Sequence, residues 1–201
     1  MLHSEQAGVL VLEIPKTGTV SMSRALKGVC RQMRELPRHL GAHRARTEFG
    51  KAEWDRLHTF AVVREPTAWL QSWYRYLIGK ERLDESLGFE TFVQLIAAGE
   101  LIDGKRIVVG SQFERISDRR SGDVIVKELL CFEYLGDEYD RLNTNFLAGA
   151  AAPLPRANVS PRVHTDSPQA LTDLINQHWA KDLKIWSAVK QSADSAYSSA
   201  A

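Results

Sequence analysis

Apolar positions along the chain fall into short continuous runs, with amphipathic stretches between them. Gly8 to Ile14 is one such run and Phe60 to Val63 is another, and Asp123 to Leu130 reads as a further buried strand. Short runs that are apolar at consecutive positions predict strands buried on both faces of a parallel sheet. Val20, Ala25, Leu26, Val29 and Met33 recur at helical spacing and predict a helix from about Thr19 to Arg34, which Pro37 ends. Arg38 to Lys51 is polar and His-rich, and reads as a short strand or loop leading to a small helix over Ala52 to Leu57. Pro66 suits the first turn of a helix, where its missing N–H costs nothing; that helix should reach about Lys80, with Ser72 near its second turn.

The second half continues the alternation. A helix is predicted over Phe89 to Ala98, followed by a stretch punctuated by Gly104 and Gly110 that holds Ser111-Gln112-Phe113. Ala148 to Val163, rich in Ala and Pro, reads as a long loop, and a loop of that length in a compact domain usually has a job or is disordered. Ser167-Pro168 reads as a helix start, with Ser as N-cap and Pro at the first helical position. Leu171, Leu174, Ile175, His178, Trp179, Leu183 and Trp186 then mark one face of a terminal helix, with Trp179 and Trp186 as core aromatics. The Ser/Ala-rich tail from Gln191 lacks anything to bury and should fray.

Alternating strands and helices predict an α/β fold. At 201 residues the chain suffices for one such domain and is short for two, so residues 1–190 are read as one domain and 191–201 as a flexible tail. A formal net charge of +1 gives no global electrostatic case for nucleic acid or an anionic membrane. Locally the charge is uneven: Arg24, Lys27, Arg31, Arg34, Arg38, Arg44 and Arg46, with His39 and His43, crowd a region in which Glu35 is the only acid before Glu48. Two readings stand, a solvated helix face and a positive rim for an anion. Cys30 and Cys131 lack metal-ligand spacing and read as buried, reduced thiols. No segment approaches the roughly twenty apolar residues of a membrane span, and the first apolar run lacks a basic leader, so a cytoplasmic protein is expected.

The chemistry is concentrated at Ile14-Pro15-Lys16-Thr17-Gly18-Thr19-Val20-Ser21. A strand, a tight Gly-containing turn and a helix place backbone N–H groups and a Lys around one point, which suits a phosphate or sulfate. In the nucleoside-triphosphate loop GxxxxGK[ST] the Lys follows the second Gly. Here Lys16 comes two residues before Gly18, and Glu13 stands where the first Gly would be.

Pro-Lys-x-Gly-Thr resembles the 5′-phosphosulfate loop of sulfotransferases that use 3′-phosphoadenosine 5′-phosphosulfate (PAPS). A second segment, Phe60-Ala61-Val62-Val63-Arg64-Glu65-Pro66 with Ser72 eight residues after the Arg, is similar to that family's 3′-phosphate motif. Phe132-Glu133-Tyr134-Leu135 and Leu154-Pro155-Arg156-Ala157-Asn158-Val159-Ser160 resemble two further family segments more loosely. The resemblance implies a three-layer α/β sandwich with a central, mainly parallel sheet of the P-loop-containing kind. It also implies PAPS as donor, adenosine 3′,5′-bisphosphate (PAP) as product, no metal, and a hydroxyl acceptor, in the polysaccharide branch a glycan.

The resemblance assigns roles residue by residue. The N–H groups of Thr17, Gly18, Thr19 and Val20 and the hydroxyls of Thr19 and Ser21 would hold the 5′-phosphate. Lys16 would reach the oxygen bridging phosphorus and sulfur, and Arg64 and Ser72 would hold the 3′-phosphate. Arg38-His39-Leu40-Gly41-Ala42 is similar to a Lys-His-x-x-Ala segment that carries the base, which points to His39, with His43 competing and Glu13 or Glu48 as carboxylate alternatives. Gln112 falls where family members face the acceptor. The chain departs from the pattern at Trp69, where a second Arg is common, and at Glu65, where Asp or Asn is; Arg156 is a candidate to supply the missing charge. Two other readings remain: a kinase with a degenerate loop, which lacks the Walker Lys position and a clear Mg²⁺ Asp, and a nucleotide-binding module without chemistry.

Overall fold

The computed structural model describes residues 1–33, 36–37, 39–102, 104, 107–155, 165 and 167–197. A five-stranded sheet runs through it in the order β3 (Arg31–Gln32), β1 (Leu2–Ser4), β2 (Val9–Leu12), β4 (His58–Val63) and β5 (Glu128–Cys131). β2, β4 and β5 pair in parallel, whereas β1 lies antiparallel to both β2 and β3. Four strands therefore point the same way and β1 alone is reversed.

Helices cover both faces, as the consecutive apolar runs require. Val9, Val11, Phe60, Val62 and Leu130 pack against α1 (Thr19–Ala25) and α7 (Leu135–Leu147). Leu10, Leu12, Ala61 and Val63 face the other way, onto α2 (Ala42–Phe49), α3 (Lys51–Arg56) and α9 (Ala180–Tyr197). A third apolar cluster joins α4 (Pro66–Ile78), α5 (Phe89–Ala98) and α8 (Gln169–His178) through Trp69, Leu70, Tyr74, Phe92 and Ile175. Phe60 is fully buried, and its truncation to Ala would cost about 3–5 kcal/mol. Among the described residues no helix is long and apolar enough to cross a membrane.

Several elements differ from the sequence reading. The helix expected over Thr19 to Arg34 stops at Ala25; a 3-10 turn at Leu26–Gly28 follows, and Arg31–Gln32 become an edge strand on β1. Gly28 weakens the helix by about 1 kcal/mol, and the open edge of β1 offers the backbone other partners. Arg24, Lys27 and Arg31 consequently do not share one helix face. The His-rich stretch forms helix α2, separated from α3 by Gly50 at φ 80°. Gln112–Ile116 forms an additional helix, α6.

The terminal helix is two helices broken at Trp179, whose buried indole donates to the Gly110 carbonyl at 3.0 Å. Pro168 rather than Ser167 stands at the N-cap of α8. Trp186 is half-buried and donates to Glu133 Oε2 at 3.0 Å, so it is not a core aromatic. Residues Gln191 to Tyr197, read as a fraying tail, continue α9: Ala193 is buried, Tyr134 donates to Asp194 Oδ1 at 2.6 Å, and Tyr197 donates to Glu138 at 3.3 Å. Cys30 and Cys131 are free and buried.

Candidate functional site

Parallel pairing fixes where the two motifs meet. Leu12 of β2 lies opposite Ala61 of β4, and Val63 lies opposite Cys131 of β5. The segments leaving the carboxyl ends of these strands, Pro15 to Gly18, Arg64 to Pro66 and Phe132 to Glu133, therefore emerge at one end of the sheet. In open α/β sheets this end is where ligands bind.

The β2–α1 loop is tied from several sides. Thr17 is 1% exposed, and its hydroxyl donates to the Ile14 carbonyl at 2.8 Å. Gly18 caps α1 with φ 81°, and a Cβ there would lie 2.5 Å from Leu135 Cδ2, so both conformation and packing call for glycine. Lys16 is itself left-handed at φ 68°, a strained conformation for a residue with a Cβ. Trp69, fully buried, donates its indole N–H to the Pro15 carbonyl at 2.8 Å. The residue that departs from the family pattern thus anchors the loop.

Lys16 Nζ sits over the Tyr76 ring, 4.2 Å from its centroid. Burial, then the neighbouring Arg64 charge, lowers the Lys16 pKa from 10.5 to about 8. The Arg64 guanidinium lies 4.2 Å from the centroid of Phe132 and donates to the Lys16 carbonyl at 3.3 Å. Its Nε is buried with no hydrogen-bond partner among the described residues. Burial lowers the Arg64 pKa as well, with Arg75 adding to the effect and Glu133 and Glu65 opposing it.

A clamp fixes the Arg64 backbone. Gln112 accepts the Arg64 N–H at 2.9 Å and donates back to its carbonyl at 2.9 Å. Both ends of this 2% exposed amide are committed, so Gln112 positions Arg64 instead of facing an acceptor. Behind it, buried Asp182 takes the Gln112 N–H at 2.5 Å, the Phe113 N–H at 3.2 Å and the Ser111 hydroxyl at 2.7 Å. Glu65 caps α4 by accepting from Thr67 N–H at 2.9 Å and Ala68 N–H at 2.5 Å. Neither Asp182 nor Tyr76 stands out in the sequence, because their partners lie far off along the chain.

Ser72 is 8% exposed and stands three residues after Trp69 and four before Tyr76 on the same face of α4. Since Trp69 bonds Pro15 and Tyr76 holds the Lys16 ammonium, Ser72 lies on the side of the helix that follows the loop. Thr19 and Val20 are half-buried in the first turn of α1, and Ser21 is buried.

His39 Nδ1 meets the Glu13 carbonyl at 2.7 Å, beside the root of the loop. A carbonyl only accepts, so Nδ1 carries a proton in this contact. His43 is turned to another cluster: its Nδ1 lies 3.3 Å from Asp118 Oδ1 and 3.4 Å from the Arg119 N, and Asp118 also pairs with Arg46. Glu13 is buried and pairs with the Met1 amino group at 2.8 Å, while Glu48 pairs with Arg44 at 3.7 Å on an exposed face. Arg156 lies outside the described residues. In comparison with known proteins, no family model matches the chain, and none of the curated proteins matches it.

Proposed function

We propose that this protein is a sulfotransferase that binds PAPS and moves its sulfuryl group to an acceptor hydroxyl, with a glycan as the acceptor class. The observation that carries the reading is the pairing of Lys16 with Arg64. Two partly buried cations, of which Arg64 lowers the proton affinity of Lys16, are held at adjacent parallel strand ends, and neither has a carboxylate ion pair among the described residues. Holding like charges together costs energy unless an anion joins them. The β2–loop–α1 unit beside parallel β4 supports the P-loop-like form of the fold, and the Lys-before-Gly order favours a phosphosulfate over a nucleoside triphosphate.

The residues divide the work. Arg64 and Ser72 hold the donor's 3′-phosphate, and the first-turn N–H groups of α1 with the hydroxyls of Thr19 and Ser21 hold its 5′-phosphate. His39 is the candidate to take the proton of the acceptor hydroxyl as that oxygen bonds to sulfur. The bond between sulfur and the bridging oxygen breaks, its electron pair stays on the 5′-phosphate of PAP, and the Lys16 ammonium stabilises that oxygen. Such stabilisation grows as the charge develops, so Lys16 acts on the transition state more than on the bound donor. Trp69 supplies no positive charge, which favours a second reading: a module that binds the nucleotide without turnover.

Transfer of labelled sulfate from PAPS to a panel of glycans, lipids, phenols and peptides tests the proposal, with Lys16→Ala as control. Label on an acceptor that disappears in Lys16→Ala supports the enzyme. PAP binding without transfer to any acceptor supports the binding module.

A further inference from the structure

Arg75 lies on α4 three residues beyond Ser72, on the same helix face. It donates to Thr165 Oγ1 at 2.7 Å, and Gln71 donates to the Thr165 carbonyl at 3.0 Å. Its Nε is buried with no hydrogen-bond partner among the described residues, as is Arg64 Nε. The two guanidiniums are near enough that Arg75 works against the protonation of Arg64. The acids closest to Arg64 are occupied elsewhere. Glu65 caps α4, and Glu133 accepts from the Glu65 N–H at 3.2 Å, Cys131 Sγ at 3.1 Å and Trp186 Nε1 at 3.0 Å.

Some basic side chains elsewhere have acidic partners: Arg46 pairs with Asp118, Lys51 with Asp55, Arg141 with Glu128 and Glu138, and Lys190 with Asp194, whereas Arg115 bonds the His39 carbonyl. Lys16, Arg64 and Arg75 have none among the described residues. Arg64 thus opposes protonation of Lys16 and Arg75 opposes that of Arg64, and two of these three cations have a buried N–H left over, which fits an anion with more than one charged group. A guanidinium matches a phosphate because its N–H groups bond two oxygens side by side.

We infer that Arg75 is a third cation of the donor site, joining Arg64 and Ser72 on the 3′-phosphate and supplying from the next turn of α4 the charge that Trp69 does not. The inference rests on the donor reading above. It concerns only the 3′-phosphate, so a ligand pair that differs in that group isolates it. The ratio of PAP to AMP affinity is also insensitive to the fraction of protein that is folded.

Isothermal titration of the full chain with PAP and with AMP provides the test, on the wild type, Arg75→Gln, Arg75→Met and Thr165→Val. Arg75→Gln should weaken PAP binding roughly ten- to a hundredfold and leave AMP binding unchanged. Arg75→Met keeps the aliphatic stem and should give the same ratio. Thr165→Val removes only the neighbouring hydroxyl and should keep the wild-type ratio. An unchanged PAP-to-AMP ratio in the Arg75 variants overturns the inference, as does an equal loss in Thr165→Val, which would make Arg75 a structural tie to that segment. A wild type that binds PAP no better than AMP overturns the donor reading itself, and the inference with it.

Discussion

The indole N–H of Trp69 donates to the carbonyl oxygen of Pro15 at 2.8 Å, joining the second turn of α4 to the loop that carries Lys16. Trp69→Phe keeps most of the packing and leaves that carbonyl without its donor, an expected loss of about 1–3 kcal/mol in denaturant unfolding. Trp69→Arg restores the residue common in the resembling family, but places a cation at a fully buried position. It should destabilise the fold by about 3 kcal/mol or more and should not improve PAP affinity. Tighter PAP binding by a stable Trp69→Arg protein would contradict the anchoring role.

Lys16 gives the site a pH signature. Its folded pKa of about 8 lies below the ordinary 10.5, so the ammonium is present below about pH 8 and is lost above it. On the proposed sulfotransferase reading, kcat/KM should fall as pH rises through about 8, and Lys16→Ala should remove that limb along with most turnover. Stability runs the other way. Between about pH 8 and 10.5 the unfolded chain holds a proton that the folded one has released, so ligand-free stability from this group rises with pH over that window. Unfolding midpoints of wild type and Lys16→Ala across pH 7 to 10 measure the difference.

Gly18→Ala meets two obstacles, the left-handed φ of 81° and Leu135 Cδ2 at 2.5 Å. A loss of about 1–3 kcal/mol is expected, together with weaker PAP binding as the loop shifts. Adding Leu135→Ala should relieve the clash and leave the conformational part, so a double variant that recovers wild-type PAP affinity would show the backbone conformation to be unimportant.

Asp182 tests the clamp behind Arg64. In Asp182→Ala the Ser111 hydroxyl and the N–H groups of Gln112 and Phe113 lose their common acceptor. Thermal stability should fall, by about 3 kcal/mol, and the folded fraction should bind PAP more weakly because Gln112 no longer fixes the Arg64 backbone. PAP affinity equal to wild type would separate Asp182 from the site.

Much of the site was legible because its local signals are strong. The run ending at Ile14 sets β2, the Lys16-to-Gly18 spacing sets the loop, and Phe60–Val63 with Pro66 sets β4 and the start of α4. The antiparallel β1 and β3 were not legible, since strands of three and two residues are fixed by edge pairing and not by their own pattern. The break at Trp179, the Gln112 clamp and the Tyr76–Lys16 contact depend on partners dozens of residues away, which periodicity does not encode. In the sequence Trp69 stands out only as a departure from the resembling pattern; the fold alone brings the Pro15 carbonyl within reach of its indole.

In the proposed site Lys16 and Arg64 together hold the two phosphate ends of one nucleotide. The most direct measurement is the thermal unfolding midpoint of wild type and Arg64→Ala with PAP, and separately with ATP. Wild type should rise by several degrees with PAP and change little with ATP, and Arg64→Ala should lose the PAP effect. Equal stabilisation by ATP, or a PAP effect that survives in Arg64→Ala, would contradict it.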